Sequence, residues 1–343
     1  MEIEGRKIGP GYPPYIIAEM SNNHLGSIDR AKKIILSAKR SGADAVKIQT
    51  YDAEALTINF SNPDFQIQAP LWKGKTYYQL YKEICLPIES TKRLFAYAKQ
   101  IGITIFSSPF DGRAVDLLME LGCPAFKIAS FEAVDPLFLK CIARTGKPVL
   151  MSTGISSLAE IAMAMAIFKE NRAKDILLFH CISSYPARIQ DYNLSALNRL
   201  KLFSPHVGLS DHSLEATAAL ASIAMGGCAV EKHLTLSRKD GGPDAAFSIE
   251  EDQLRELKIN CQTVWNSLGS SDILSSENRP GREHARSLYI ISDVRKGEPL
   301  GPNNIRSIRP GYGLSPFFYE QVMGKTFNRK LDAGTALKWE YIT

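Results

Sequence analysis

The stretch HVGLSDHSLEATAALASIAMGGCAVEKHLTL, residues 206–236, decides the fold. It opens on a short apolar run, HVGL (206–209), which breaks into Ser210-Asp211-His212. A helical pattern follows and is punctuated by Gly226-Gly227. A second run, CAVEK (228–232), then ends on His233. Strand, polar end, helix and strand in this order form the repeating unit of a parallel sheet. Working outward, the same unit recurs at YIIA (15–18), AVKI (45–48), ITIF (103–106), AFKI (125–128), PVLM (148–151) and ILLF (176–179). Eight such strands, each followed by a helix, predict a (β/α)8 TIM barrel, with a doubly wound sheet as the alternative.

The helices carry their own start and stop signals. One runs from about Ile28 behind a cap at Ser27, buries Ala31, Ile34, Ile35 and Ala38, and stops at Gly42. Ser157-Leu-Ala-Glu160 reads as a capping box, and so does Ser248-Ile-Glu-Glu251 ahead of Leu254, Leu257, Cys261, Val264 and Leu268. Residues 51–88 are too long for an ordinary connection after a strand and are expected to shape the mouth of a site. After Leu268 the chain turns polar and rich in turn residues. The expected organisation is a barrel over 1–268, a linker over 269–284 and a small compact domain over 285–343.

Composition excludes several classes. The 343 residues are 45% hydrophobic and 22% charged, with a net charge of +5. That is an ordinary globular balance, with no basic stripe interleaved with aromatics, so a nucleic-acid partner is not expected. No run of about 18 apolar residues exists to span a membrane, and the N-terminus shows no apolar signal segment. Cys85, Cys123, Cys141, Cys181, Cys228 and Cys261 show no CxxC spacing and are read as reduced core residues. The expected location is cytoplasmic.

In a barrel of this kind, chemistry gathers at the carboxyl ends of the strands. Those ends offer Glu19, Lys47 with Gln49, Ser107-Ser108, Lys127 with Ser130, Ser152, His180 with Ser183, Ser184 and Tyr185, Ser210-Asp211-His212, and Glu231-Lys232-His233. Lys47 and Lys127 interrupt apolar strands, and a charge buried alone is costly. They are read as binding phosphate and carboxylate, as partners of Glu19 or Glu132, or as a Schiff-base lysine. His212 and His233 close neighbouring strands and suit a divalent ion such as Mn²⁺ or Zn²⁺, with Asp211, Glu231 or the substrate completing its shell. Two ordinary hydrogen-bonded histidines are the alternative. His24 and His180 are weaker candidates, and His206 and His284 are read as structural. Glu19 and Asp244 could each move a proton, though Asp244 in GGPD could equally be a turn residue and Glu19 a salt-bridge partner.

These residues occur in runs that resemble the sialic acid (nonulosonic acid) synthase family. The runs are AEMSNNHLGSIDRAKKI (18–34), AVKIQTY (45–51), FSSPFD (106–111), FKIAS (126–130), MSTG (151–154), GLSDHS (208–213), EKHLTL (231–236) and DGGPDAAFS (240–248). The tail at 285–314 is similar to that family's antifreeze-like (SAF) domain. SNPDF, LWKGKTYYQLY, FSSPFD, GGPDAAFS and SIRPGYGL are closest to its pseudaminate branch.

The resemblance implies a transferase that condenses phosphoenolpyruvate with an amino sugar to form a C–C bond. The pseudaminate substrate would be 2,4-diacetamido-2,4,6-trideoxy-L-altrose. N-acetylmannosamine or its 2,4-diacetamido analogue would serve a neuraminate or legionaminate synthase. It implies Mn²⁺, with Mg²⁺ or Co²⁺ as alternatives, on His212 and His233. It implies Glu19 and Asp244 as catalytic carboxylates. Lys47, Ser108, Lys127, Ser130, Ser152, Ser183 and Ser210 would contact substrate, with Gln49 and Tyr185 on the sugar side. Arg286 would reach the sugar of a partner's barrel in a domain-swapped homodimer. Two positions depart from the family's pattern. Leu25 stands where a second Asn is usual in the first loop, and Ala285 stands where an arginine usually precedes Arg286.

Overall fold

The computed structural model describes residues 1–68, 73–173, 175–184, 187–275 and 279–343. Eight parallel strands close into a barrel: β1 Tyr15–Glu19, β2 Ala45–Thr50, β3 Thr104–Pro109, β4 Phe126–Ile128, β5 Val149–Ser152, β6 Ile176–Cys181, β7 His206–Asp211 and β8 Ala229–His233. The strands pair in chain order, and β8 returns to β1 with His233 opposite Glu19. The closed ring excludes the doubly wound sheet. Around it stand the helices Ile28–Arg40, Ser90–Ile101, Gly112–Glu120, Pro136–Ala143, Leu158–Glu170, Ala196–Leu200, Thr217–Ala224 and Glu251–Leu268.

The strands run further than their apolar runs predict. β1, β3, β5, β6, β7 and β8 each continue into the polar residues that follow, so Glu19, Ser108, Ser152, Cys181, Ser210 and His233 sit on the ladder itself. Backbone pairing there holds these side chains at fixed heights, with alternate residues on opposite faces of the sheet. In β8 this sends Glu231 and His233 to the interior and Lys232 outward.

Local signals set most helix ends. Ser27 accepts from Arg30 N at 3.2 Å, and the Ser157/Glu160 box forms as predicted. The box before the last barrel helix lies two residues later than predicted: Glu250 is the cap and Gln253 its partner. Ser248 is drawn away instead, donating to Asp244 O at 2.7 Å and accepting from Asn23 Nδ2 at 2.8 Å.

Inside the barrel, Phe179 forms part of the floor below the rim. A Cβ added at Gly208 would lie 2.7 Å from the Phe179 ring and 2.5 Å from Ala229 O. Glycine at 208 therefore lets the phenyl ring fill the lumen.

Contacts divide the chain into Met1–Gly269 and Ser270–Thr343. The second unit pairs Ser287–Ile290 antiparallel with Ile305–Ile308 over a small core that includes Leu288, Ile290, Val294, Ile305, Phe327 and Leu337. Among the described residues, no helix is long and apolar enough to cross a membrane.

Candidate active site at the carboxyl rim of the barrel

A cavity of about 300 Å³ opens at the carboxyl rim, lined by residues from β1, β2, β4, β5, β6, β7 and β8 and by the loops beyond them. It brings together Glu19, Lys47, Gln49, Lys127, Ser130, Ser152, Ser210, His212, His233 and Asp244 of the sequence-predicted set. Ser108 and Ser183 stand just behind this lining. Lys47 Nζ lies 3.5 Å from Ser108 Oγ, and Ser183 Oγ donates to Ser130 Oγ at 3.1 Å. Tyr185 lies outside the described residues. Arg286 belongs to the second unit, where its guanidinium donates to Ser307 O at 3.2 Å.

Two buried ammonium groups and two buried carboxylates form the centre. Glu231 Oε1 takes Lys47 Nζ and Lys127 Nζ at 3.2 Å each and accepts from Ser210 Oγ at 2.9 Å. Lys47 Nζ also meets Glu19 Oε2 at 3.2 Å. Glu19 Oε1 accepts from Ser21 N at 2.9 Å and Gln49 Nε2 at 3.3 Å. Glu132, expected as a possible lysine partner, pairs with neither lysine. It sits apart with Oε2 buried and no partner among the described residues, and burial pushes its carboxyl up to about 7.

The four charges do not share proton affinity equally. Burial pushes Glu19 up, only partly opposed by Lys47, so it holds a proton near neutrality. Burial alone would raise Glu231 as well, but the ammonium groups of Lys127 and Lys47 outweigh it and keep that carboxylate ionised. Burial lowers Lys127 despite Glu231 beside it, whereas for Lys47 the two carboxylates overcome burial and raise it. The Lys127 ammonium also lies 5.2 Å above the Phe179 ring. The centre thus sets two ammonium groups around one carboxylate oxygen, an arrangement that suits an anionic occupant.

Beside Lys127, the chain after β5 approaches closely enough to exclude side chains. A Cβ at Gly154 would come 2.4 Å from Ser183 Oγ, 2.7 Å from Cys181 Sγ and 2.9 Å from Ser130 Oγ. Cys181 is buried, as expected, and also lines the cavity. Gly154 thus leaves a hydroxyl-lined cradle against the backbone.

The imidazoles of His212 and His233 stand with ring centroids 5.3 Å apart, both against Phe247. Nδ1 of His212 donates to Ile182 O at 2.9 Å, which leaves the lone pair of the neutral ring on Nε2. Burial lowers His212 to about 4 and takes His233 well below the ordinary range, so both rings are neutral and competent as ligands. Nδ1 of His233 and Oε2 of Glu231 are buried with no partner among the described residues. Such orphans cost roughly 1–3 kcal/mol each. The donor set fits a divalent ion held by two imidazoles and completed by water, substrate or Glu231. Among the described residues, no set of three or more His, Cys, Asp and Glu side chains is arranged around one ion position.

Asp211 is not available to that shell. It pairs with Lys232 Nζ at 2.7 Å, and its Oδ1 accepts from Tyr192 OH and, at 2.9 Å, from Ser213 N on the outer face of the barrel. His180 also faces outward, bonded to Tyr192 O. Asp244 is held over the cavity by Asn22 N at 2.9 Å, and burial raises it. Ser21, Asn22, Tyr81 and Phe131 complete the lining. Ser21, Asn22 and Phe131 lie in the turns beyond β1 and β4, and Tyr81 on the helix Tyr77–Ile84 of the long connection after β2, so none of the four carries a strand-end signal in the sequence.

A barrel with this rim defines an enzyme that works on an anionic substrate at its carboxyl-end loops. The chain belongs to the NeuB family, whose family model matches residues 34–272, and it carries a SAF domain over residues 285–342. It is 39% identical over 326 residues to a pseudaminic acid synthase of Campylobacter jejuni, covering 94% of this chain and 95% of that protein. It is 36% identical to an N,N'-diacetyllegionaminic acid synthase of the same species, covering 92% and 97%. Among solved structures, the N-acetylneuraminic acid synthetase of Leptospira borgpetersenii in complex with citrate superposes with a TM-score of 0.71 at 31% identity. That match covers 79% of this chain and 90% of the other. The protein is thus a nonulosonic acid synthase, an enzyme condensing phosphoenolpyruvate with a sugar.

Proposed function

We propose that the enzyme condenses phosphoenolpyruvate with 2,4-diacetamido-2,4,6-trideoxy-L-altrose to give pseudaminic acid and inorganic phosphate. The observation that carries this reading is the convergence of Lys47, Lys127 and the His212–His233 pair on one cavity, in a chain similar over nearly its whole length to a pseudaminic acid synthase.

In this reading Lys47 and Lys127, with Ser108, Ser130, Ser152, Ser183 and Ser210, receive the carboxylate and phosphate of phosphoenolpyruvate. The cradle at Gly154 brings backbone against the same anion. The enol carbon attacks the aldehyde carbon of the open-chain sugar, water adds at C2 of the former enol, and phosphate leaves. A divalent ion on His212 and His233, with Mn²⁺ the foremost candidate and Mg²⁺ or Co²⁺ as substitutes, would polarise the aldehyde oxygen. Glu19 holds a proton at its carboxyl and so serves to protonate the forming hydroxyl and then to take a proton from the attacking water. Asp244 and Gln49 orient the sugar. Arg286 reaches the sugar's N-acyl group from a partner subunit in a swapped homodimer.

Phosphate release from phosphoenolpyruvate, measured with each of a panel of amino sugars with and without Mn²⁺, tests the proposal. Metal-dependent release with the altrose sugar is expected. Release with N-acetylmannosamine or its 2,4-diacetamido analogue alone would assign the enzyme to neuraminate or legionaminate synthesis. Binding of phosphoenolpyruvate with no release from any sugar would mark a non-catalytic binding protein. Borohydride trapping of a lysine adduct would favour Schiff-base chemistry over the metal.

A further inference from the structure

The long connection between β2 and β3 is a built element in its described part. Its helix Tyr77–Ile84 starts on a reciprocal Thr76/Gln79 capping box, is preceded by a bridge between Gln66 and Thr76, and is tied by Tyr78 OH to Glu54 of the helix Ala53–Leu56 at 2.5 Å. One residue of this helix, Tyr81, reaches the cavity. Its ring stacks on Tyr77 with centroids 6.1 Å apart. The Asp244 side of the cavity is marked by Tyr51, whose hydroxyl donates to Asn22 Oδ1 at 3.2 Å and whose ring packs edge-on against Phe110 at 5.2 Å. Tyr81 stands close enough to Tyr51 to perturb its phenol.

A second aromatic lies on the same lining. Phe131 follows Ser130 at the end of β4 and is 57% exposed although it borders the cavity. A phenyl ring left in water at the lip of a polar site gains by being covered with apolar groups. The ammonium groups, serines and imidazoles take the anionic substrate and the aldehyde. The faces of these two rings carry no positive charge for a phosphate and suit methyl groups and the C–H face of a sugar.

We propose that Tyr81 and Phe131 form an aromatic clamp that recognises the methyl groups of the sugar substrate, selecting an N-acylated, deoxygenated sugar over a fully hydroxylated one. The clamp rests on the functional reading above and extends it by naming the residues that set sugar specificity. Tyr81 and Phe131 contact the sugar directly in this role. Their removal weakens sugar binding while leaving phosphoenolpyruvate binding and the chemical step in place.

The test is steady-state phosphate release by the full-length enzyme with Mn²⁺, using wild type, Tyr81→Ala, Tyr81→Phe and Phe131→Ala. Each is measured with 2,4-diacetamido-2,4,6-trideoxy-L-altrose and with N-acetylmannosamine. Tyr81→Ala and Phe131→Ala are expected to raise the KM for the altrose sugar about tenfold or more, to leave the KM for phosphoenolpyruvate within about twofold, and to narrow the preference between the two sugars. Tyr81→Phe, which keeps the ring, is expected to stay within about threefold of wild type. Unchanged sugar KM in both alanine variants, or a parallel rise for phosphoenolpyruvate, overturns the clamp. A melting curve identifies a variant that has lost its fold, and Tyr81→Leu then replaces Tyr81→Ala. If wild type prefers N-acetylmannosamine, the altrose assignment falls. The preference for a deoxygenated sugar falls with it, and recognition of the N-acyl methyl by the clamp is then decided by whether the alanine variants raise the KM for N-acetylmannosamine.

Discussion

Lys127 shows how one side chain reports on the site. It is buried, lowered by that burial, and among the described residues has Glu231 as its one ion-pair partner within 4.0 Å, so an arriving anion completes its environment. Lys127→Ala removes a charge-assisted contact worth about 1.5–3 kcal/mol and should raise the KM for phosphoenolpyruvate about 10- to 100-fold. An unchanged value would remove the lysine from substrate binding. Glu132 makes a different prediction. Its folded carboxyl titrates at about 7 against 4.5 in the unfolded chain, so the native state binds more protons between those values and stability declines as pH rises through them. Glu132→Gln should therefore be more stable than wild type by up to about 3 kcal/mol at pH 8 and match it near pH 4. Denaturant titrations of the ligand-free protein at both values decide this. The sequence made the lysines legible, because a charge inside an apolar run demands an explanation. It could not show that Glu132 stays apart from them, since that depends on which way the loop after β4 turns.

Strand alternation explains most of what was readable in the elements. A period of two puts Lys47 and Gln49 on one face and, in β8, Glu231 and His233 together, so the interior set followed once the strands were placed. The same rule turns Asp211 outward, which the sequence reading overlooked when it offered Asp211 to the ion. The capping box at Ser248 was misplaced because Ser248 was needed elsewhere, tying Asn23 to the Asp244 loop. The excursion at 51–88 was recognised as a mouth-forming segment, but its contribution of Tyr81 depends on helix phase in a stretch with weak periodicity. Gly208 carries the prediction at this scale. Its replacement by alanine forces Phe179 or the β8 backbone to move and should cost about 1–3 kcal/mol. Because Phe179 lies under Lys127, affinity for phosphoenolpyruvate should fall with it. Full stability in Gly208→Ala would contradict the packing described for the barrel floor.

For the molecule as a whole, the proposed swapped homodimer places two residues of one active site on different chains. An inactive His233→Ala chain and an inactive Arg286→Ala chain should therefore restore partial turnover when co-expressed, because one of the two sites in a mixed dimer is intact. Mixing without recovery would return the arginine to its own chain or remove it from the site. Ser287 pairs with Ile308, so Arg309 stands at the same end of that ladder as Arg286, and Arg309→Ala belongs in the same experiment. Leu25 has a consequence at the seam where the ring closes. It adopts a left-handed backbone, φ 49°, and its Cδ2 lies 2.4 Å from where a Cβ at Gly242 would be. The two loops it joins follow β1 and β8, the first and last staves of the barrel. Leu25 and Gly242 thus pack as a pair where the ring closes. Gly242 itself sits at φ 107°, a backbone that side chains rarely adopt, so replacing Leu25 removes the steric block but not the strain, and glycine stays the residue this loop demands.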